Sequence, residues 1–256
     1  MKYLCFIGSG RTGSTFVGQV LNYHPNCLIS NESRFLDKVI NHSYPYDRAL
    51  QDLYQNALAE FKNGLENTGY NMSQYQERWK GMGHLSKSPE FQKKKILVVG
   101  DKKAGGTTQI FRESPTDLLL LSKENNFYFL HLVRHPAAAA RSYMKSHGYD
   151  TFEAACTKVI EDSLQAANIE DHLNPDLFLR VYYEDILHDF DSSVSNIGNW
   201  LGIEMNNEWI QQVKLTADTK TPEISDSDIK DTLILIGSRD EKNIFSRYWK
   251  HDDVLQ

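Results

Sequence analysis

The sequence predicts a three-layer α/β/α fold around a central, mainly parallel sheet. Three observations carry that expectation. Short apolar runs alternate with longer helical segments along most of the 256 residues, which is the pattern of repeated strand–helix units. A glycine-rich loop follows the first apolar run directly. A later apolar run, residues 127–133, passes through a proline turn into another helical segment.

In chain order, Tyr3–Ile7 reads as a buried strand. Gly8, Gly10 and Gly13 punctuate the loop GSGRTGST, and a helix is expected over Ser14–Asn22. Further strands are expected at Cys27–Ser30, Ile96–Gly100, Phe127–Val133 and Leu177–Tyr182. Further helices are expected at Arg48–Asn63, Thr116–Lys123, Ala137–His147, Phe152–His172 and Ser192–Leu201. Pro136 suits the first turn of its helix. Residues 64–95 are polar and read as an insertion or mobile loop near the substrate mouth. Residues 216–247 are also polar, broken by the apolar patch Leu233–Ile236, and read as a late covering segment. With no clear linker, residues 1–256 are expected to form a single domain.

Composition narrows the function classes. Apolar residues make up 40%, enough for a sizeable core. A net charge of −6 argues against general nucleic-acid binding. The three cysteines, Cys5, Cys27 and Cys156, are far apart and lack metal-ligand spacing. They point to a reducing compartment. The first residues lack a basic leader and a long apolar stretch. No run approaches the roughly 18 apolar residues of a membrane span. The expectation is a cytoplasmic protein without an integral membrane segment.

Chemistry concentrates in the first loop. A strand, a glycine-rich loop and a helix aim several backbone N–H groups at one point, at the positive end of a helix dipole. Such a point binds phosphate or sulfate. Gly8 and Gly13 match the spacing of the nucleotide-triphosphatase pattern G-x-x-x-x-G-K-[ST], so a P-loop NTPase-like architecture is expected. The lysine of that pattern is missing: Ser14 stands in its place, followed by Thr15. The one cation in the loop is Arg11. A chain handling magnesium-bound triphosphate wants that lysine on the terminal phosphates. Its absence fits a donor with less charge on the transferred group.

A second anion site is expected in FYFLHLVRHPAAAARSYMKS, residues 127–146. Arg134 stands at a strand tip and Ser142 lies eight residues on, in the next helix. Together they can converge on one phosphate, and arginine offers a planar fork matched to its oxygens.

With these two elements in order, the chain resembles the sulfotransferases that use 3′-phosphoadenosine 5′-phosphosulfate (PAPS). In that family a loop of the GSGRTGST kind holds the 5′-phosphosulfate. An LVRHP…RS element holds the 3′-phosphate through its arginine and serine. VYYEDIL, residues 181–187, is similar to a later family segment, and a helix ending in WLGI, residues 200–203, follows it. NYHPNCLISNESRFL is similar to the segment after the glycine loop of tyrosylprotein sulfotransferases, H-P-x(4–5)-E-E-T-R, where a glutamate is the catalytic base. Glu32 matches that glutamate and Arg34 the arginine; Asn31 departs from the first acidic position.

The resemblance implies roles. Gly10, Thr12, Gly13, Ser14 and Thr15 would hold the 5′-phosphate. Arg11 would steady the bridging oxygen and the sulfuryl group, helped by Lys102. Arg134 and Ser142 would hold the 3′-phosphate, with Tyr183 near the nucleotide. Arg247, in SRYWK, matches a late donor-contacting motif whose glycine is absent here. Glu32 would take the acceptor's proton, with His84 as the rival base. The acceptor would be a hydroxyl on a carbohydrate, lipid, metabolite or tyrosyl peptide, the product adenosine 3′,5′-bisphosphate, and no metal would be required. Two other classes stay open: a P-loop kinase of small molecules, and a nucleotide-binding protein that keeps the fold without turnover.

Overall fold

The computed structural model describes residues 1–63, 89–216 and 223–249. Five strands form one sheet: β1 (Lys2–Ile7), β2 (Cys27–Asn31), β3 (Val98–Lys102), β4 (Phe127–Val133) and β5 (Phe178–Tyr182). Their order is β2-β3-β1-β4-β5, and every pairing is parallel. A parallel sheet needs cover on both faces. The strands supply it by alternation: Leu4, Phe6, Leu130 and Leu132 pack into one apolar layer, while Tyr3, Cys5, Ile7, Phe127 and Phe129 pack into the other. All five expected strands are present. The fold is the expected three-layer, phosphate-loop-like α/β architecture.

The helices, numbered among the described residues, are α1 (Ser14–Asn22), α2 (Phe35–Asn41), α3 (Tyr46–Asn63), α4 (Ala104–Glu113), α5 (Pro115–Glu124), α6 (Pro136–His147), α7 (Phe152–Glu170), α8 (Tyr183–His188), α9 (Phe190–Leu201), α10 (Asn207–Thr216) and α11 (Asp226–Ile236). Helix α1 covers the first face with α8, α9 and α10, through Phe16, Val20, Ile186, Phe190, Ile197 and Trp209. Helices α2, α3, α4 and α7 cover the second, through Phe35, Leu53, Phe111 and Ile169. Helix α6 lies in a third cluster with α7 and Phe245.

Helices α2, α4, α8 and α10 go beyond the sequence reading, and two further differences bear on the site. Strand β3 runs two residues further than Ile96–Gly100, so Asp101 and Lys102 belong to the strand. The apolar pattern stops early because the strand's carboxyl end reaches the polar crevice. The polar late segment contains a helix, α11. Its Asp228 closes a capping box with Ser225 and accepts both Nε and Nη2 of Arg141. Arg141 therefore staples α11 to α6.

Candidate active site

Strands β1 and β4 are hydrogen-bonded neighbours. The helices that follow them belong to different packing clusters, α1 to the first layer and α6 to the third. A crevice opens where adjacent parallel strands send their helices apart, beyond the carboxyl ends of the strands. The glycine loop and the Arg134 turn both lie there.

The loop is held from below and behind. The Thr108 hydroxyl on α4 accepts the Gly8 N–H at 2.8 Å, and its proton faces the Gly8 and Ala104 carbonyl oxygens. The Tyr143 hydroxyl accepts the Gly10 N–H at 3.1 Å. The Thr12 hydroxyl donates to the Ser9 carbonyl oxygen at 3.0 Å. Gly13 sits at φ 91° and precedes α1. A Cβ there would come within 2.2 Å of the Tyr183 ring, so both the backbone and the ring require glycine.

Arg134 joins the two motifs. Its Nη1 donates to the Arg11 carbonyl oxygen at 3.0 Å, and its guanidinium lies over the Tyr183 ring at 4.7 Å. The Arg11 Nε donates to the Ser142 Oγ at 3.0 Å. Arg134 is only 5% exposed. Among the described residues its Nε and Nη2 have no hydrogen-bond partner. Burial lowers its pKa, with Tyr183 and Glu184 opposing, but an arginine keeps its charge. A buried cation with unpaired donors is costly unless an anion meets it.

The wall beside Arg134 is built by the late segment. Glu184 accepts the His135 N–H at 3.0 Å and the Tyr248 hydroxyl at 2.7 Å. The His135 ring packs against Tyr248 and Trp249, with centroids 5.0 Å apart in each case. Arg247 grips Asp185 with both terminal nitrogens, at 2.7 and 2.5 Å, and stacks on Tyr182. Its guanidinium is thus committed to that carboxylate in this structure.

Glu32 follows β2 and reaches back to β3. The buried Lys102 ammonium donates to Glu32 Oε1 at 3.0 Å. The Lys102 stem passes beside Gly18 of α1. The Glu32 side chain is 31% exposed. Arg34 turns instead to Asp37, at 2.9 Å. His147, at the end of α6, lies within electrostatic range of both Arg11 and Glu32. Burial and Arg11 lower its pKa, and Glu32 raises it. Arg11, Glu32 and Lys102 are thereby gathered at one mouth.

The model of the sulfotransferase family matches residues 4–207. The chain belongs to that family. Solved structures agree on the fold. The sulfotransferase domain of the Synechococcus PCC 7002 olefin synthase superposes with a TM-score of 0.53 at 18% identity, over 93% of this chain and 94% of that one. A sulfotransferase from Mycobacterium avium gives 0.52 at 11% identity, over 92% and 75%. One from Alicyclobacillus acidocaldarius gives 0.50 at 14% identity, over 92% and 91%. No curated protein matches the chain.

In this sulfotransferase the sequence-expected loop, Arg134, Ser142, Tyr183, Glu32 and Lys102 lie around one crevice mouth. His84 lies outside the described residues, as does Lys250 of the SRYWK segment. Sequence reasoning missed Thr108, Tyr143 and His147, which support or border the loop. It also missed Glu60 and Asp101, which hold the segment carrying Glu32. Tyr143 and Asp101 had a signal, since they stand next to Ser142 and Lys102; the others had none that spacing reveals. Among the described residues, no helix is long and apolar enough to cross a membrane.

Proposed function

We propose that the chain transfers the sulfuryl group of PAPS to an acceptor hydroxyl by in-line displacement. The observation that carries this reading is Arg134. Its buried guanidinium is tied to the glycine loop through the Arg11 carbonyl oxygen and, among the described residues, keeps two unpartnered nitrogens. A nucleotide with phosphates at both the 5′ and 3′ positions fits two linked anion sites better than one with a single phosphate chain.

PAPS supplies an activated sulfuryl group with a good leaving group behind it. The chain's own residues do the rest. The backbone N–H groups around Gly13, with Gly10, Thr12, Ser14 and Thr15, orient the 5′-phosphate at the start of α1. Arg134 and Ser142 orient the 3′-phosphate, and Tyr183 braces Arg134 beside the nucleotide. Arg11 stabilises charge that builds on the bridging oxygen as the sulfur–oxygen bond breaks, with Lys102 in support. Glu32 accepts the acceptor's proton at a carboxylate oxygen as the new oxygen–sulfur bond forms. General base catalysis of this kind contributes about 10²–10⁴-fold. Adenosine 3′,5′-bisphosphate departs with the bonding electron pair. The site asks for no metal, because the transferred group carries one negative charge.

The acceptor is a hydroxyl on a carbohydrate, lipid, metabolite or tyrosyl peptide. The test is transfer of labelled sulfate from PAPS to a panel of those four classes. Transfer to at least one supports the reading. Binding of adenosine 3′,5′-bisphosphate without transfer to any points instead to a nucleotide-binding protein that has lost turnover.

A further inference from the structure

We propose that Glu60 and Asp101 are positioning residues that clamp the backbone of residues 31–35 and so fix the direction of the Glu32 carboxylate. This rests on Glu32 being the base.

The segment needs a clamp. Glu32 has φ 63° and Arg34 has φ 58°, both left-handed and neither a glycine. Each such residue is strained and persists only where its surroundings over-determine it. Two buried carboxylates supply those surroundings. From α3, Glu60 accepts the Asn31 N–H at 2.8 Å with one oxygen and the Ser30 hydroxyl at 3.0 Å with the other. From β3, Asp101 accepts the Ser33 N–H at 2.8 Å and the Phe35 N–H at 3.1 Å, again one per oxygen. Glu32 is therefore bracketed, with one N–H held just before it and one just after.

The residues are costly where they stand. Glu60 is 7% exposed and Asp101 6%. Burial raises both carboxyl pKa values, while the hydrogen bonds and Lys102 oppose the rise. Buried carboxylates survive when they accept strong, charge-assisted bonds, and each oxygen here has one. Strand alternation adds a second function to β3. Adjacent residues point to opposite faces: Asp101 takes the backbone of the segment, while Lys102 takes the Glu32 side chain. Three groups then define where the carboxylate lies.

Two measurements test the clamp. The first is hydrogen–deuterium exchange of peptides covering residues 31–35 in Glu60→Gln and Asp101→Asn. In Asp101→Asn the new amide hydrogens face an N–H that needs an acceptor. Exchange should accelerate at least 10-fold in that segment and stay unchanged in β1 and β4. Unchanged exchange at 31–35 in both variants overturns the clamp. If Asp101→Asn fails to fold, Glu60→Gln, on a helix outside the sheet, decides alone. The second is release of adenosine 3′,5′-bisphosphate from PAPS with phenol as acceptor, whose hydroxyl, like that of tyrosine, stays protonated near neutral pH. Each variant should lose about 10-fold in kcat with unchanged affinity for the bisphosphate. Neither should lose more in a Glu32→Gln background, because the clamp acts through Glu32. Full additivity there overturns the positioning role. If Glu32→Gln alone keeps the wild-type rate, the base assignment fails, and that result is separate from the exchange result.

Discussion

The Nε of Arg11 donates a hydrogen bond to the Oγ of Ser142 at 3.0 Å, across 131 residues of sequence. The contact joins the loop after β1 to the helix after β4. Arg134 joins them a second time, through the Arg11 carbonyl oxygen. Arg11 is thus held by its side chain on one side and its backbone on the other. Its side-chain partner is the serine assigned to the 3′-phosphate, so donor binding can redirect Arg11 from Ser142 toward the sulfuryl group.

Arg11→Ala should therefore separate binding from chemistry. The Arg11 carbonyl oxygen that holds Arg134 remains in the variant. We expect about 10²–10³-fold loss of kcat, the scale for removing one donor to developing charge. Affinity for adenosine 3′,5′-bisphosphate should fall only modestly. Steady-state kinetics and calorimetry on the same preparation check both.

Arg134→Ala should do the reverse. It removes the buried cation, two of whose nitrogens have no partner among the described residues, so bisphosphate affinity should fall by about 2–3 kcal/mol, or roughly 30–150-fold. Adenosine 5′-phosphate, which lacks the 3′ group, should lose far less. Equal losses for the two nucleotides would remove Arg134 from the 3′ site.

Gly13→Ala should damage stability and donor binding together. The added methyl meets the Tyr183 ring, and the residue is held at φ 91°. The conformational penalty is about 1–2 kcal/mol and overpacking adds about 1–3 kcal/mol. Urea unfolding should register a loss of about 2–5 kcal/mol.

Much of the fold was legible because its signals are local. Each strand is a short apolar run, and Ser14–Asn22 was bounded correctly by Gly13 and its apolar spacing. Helix α4 was hidden because Gly105 and Gly106 stand in its first turn, where they read as loop. The loop, Arg134 and Ser142 were legible as motifs, since their spacing within one strand–helix unit is short. The partner of Glu32 was not. Arg34 was its obvious neighbour in sequence, but the strand places Lys102 against it. Glu60 was less legible still. On α3 it reads as one charge among several, and only the docking of that helix on β2 brings it to Asn31.

His131 yields a pH prediction. It is fully buried in β4, and among the described residues neither ring nitrogen has a partner. Burial, with Arg180 adding to it, pushes its pKa down to about 3. The unfolded chain takes up a proton near pH 6.5, and the folded protein does not until about pH 3. Folding stability is therefore lost as pH falls through that window, by up to about 1.4 kcal/mol per pH unit. His131→Leu removes this dependence. The difference in unfolding free energy between variant and wild type should shift in the variant's favour by about 3 kcal/mol between pH 7 and pH 4. A pH-independent difference would mean that the imidazole takes up its proton over the same pH range in the folded protein as in the unfolded chain.

The two-site donor pocket is tested most directly by calorimetry of adenosine 3′,5′-bisphosphate against ADP with magnesium, on the wild-type protein. Two linked anion sites without a loop lysine predict that the bisphosphate binds at least 100-fold more tightly, and without magnesium. Tighter binding of ADP–magnesium would contradict the assignment of Arg134 and Ser142 to a 3′-phosphate, and the PAPS reading with it.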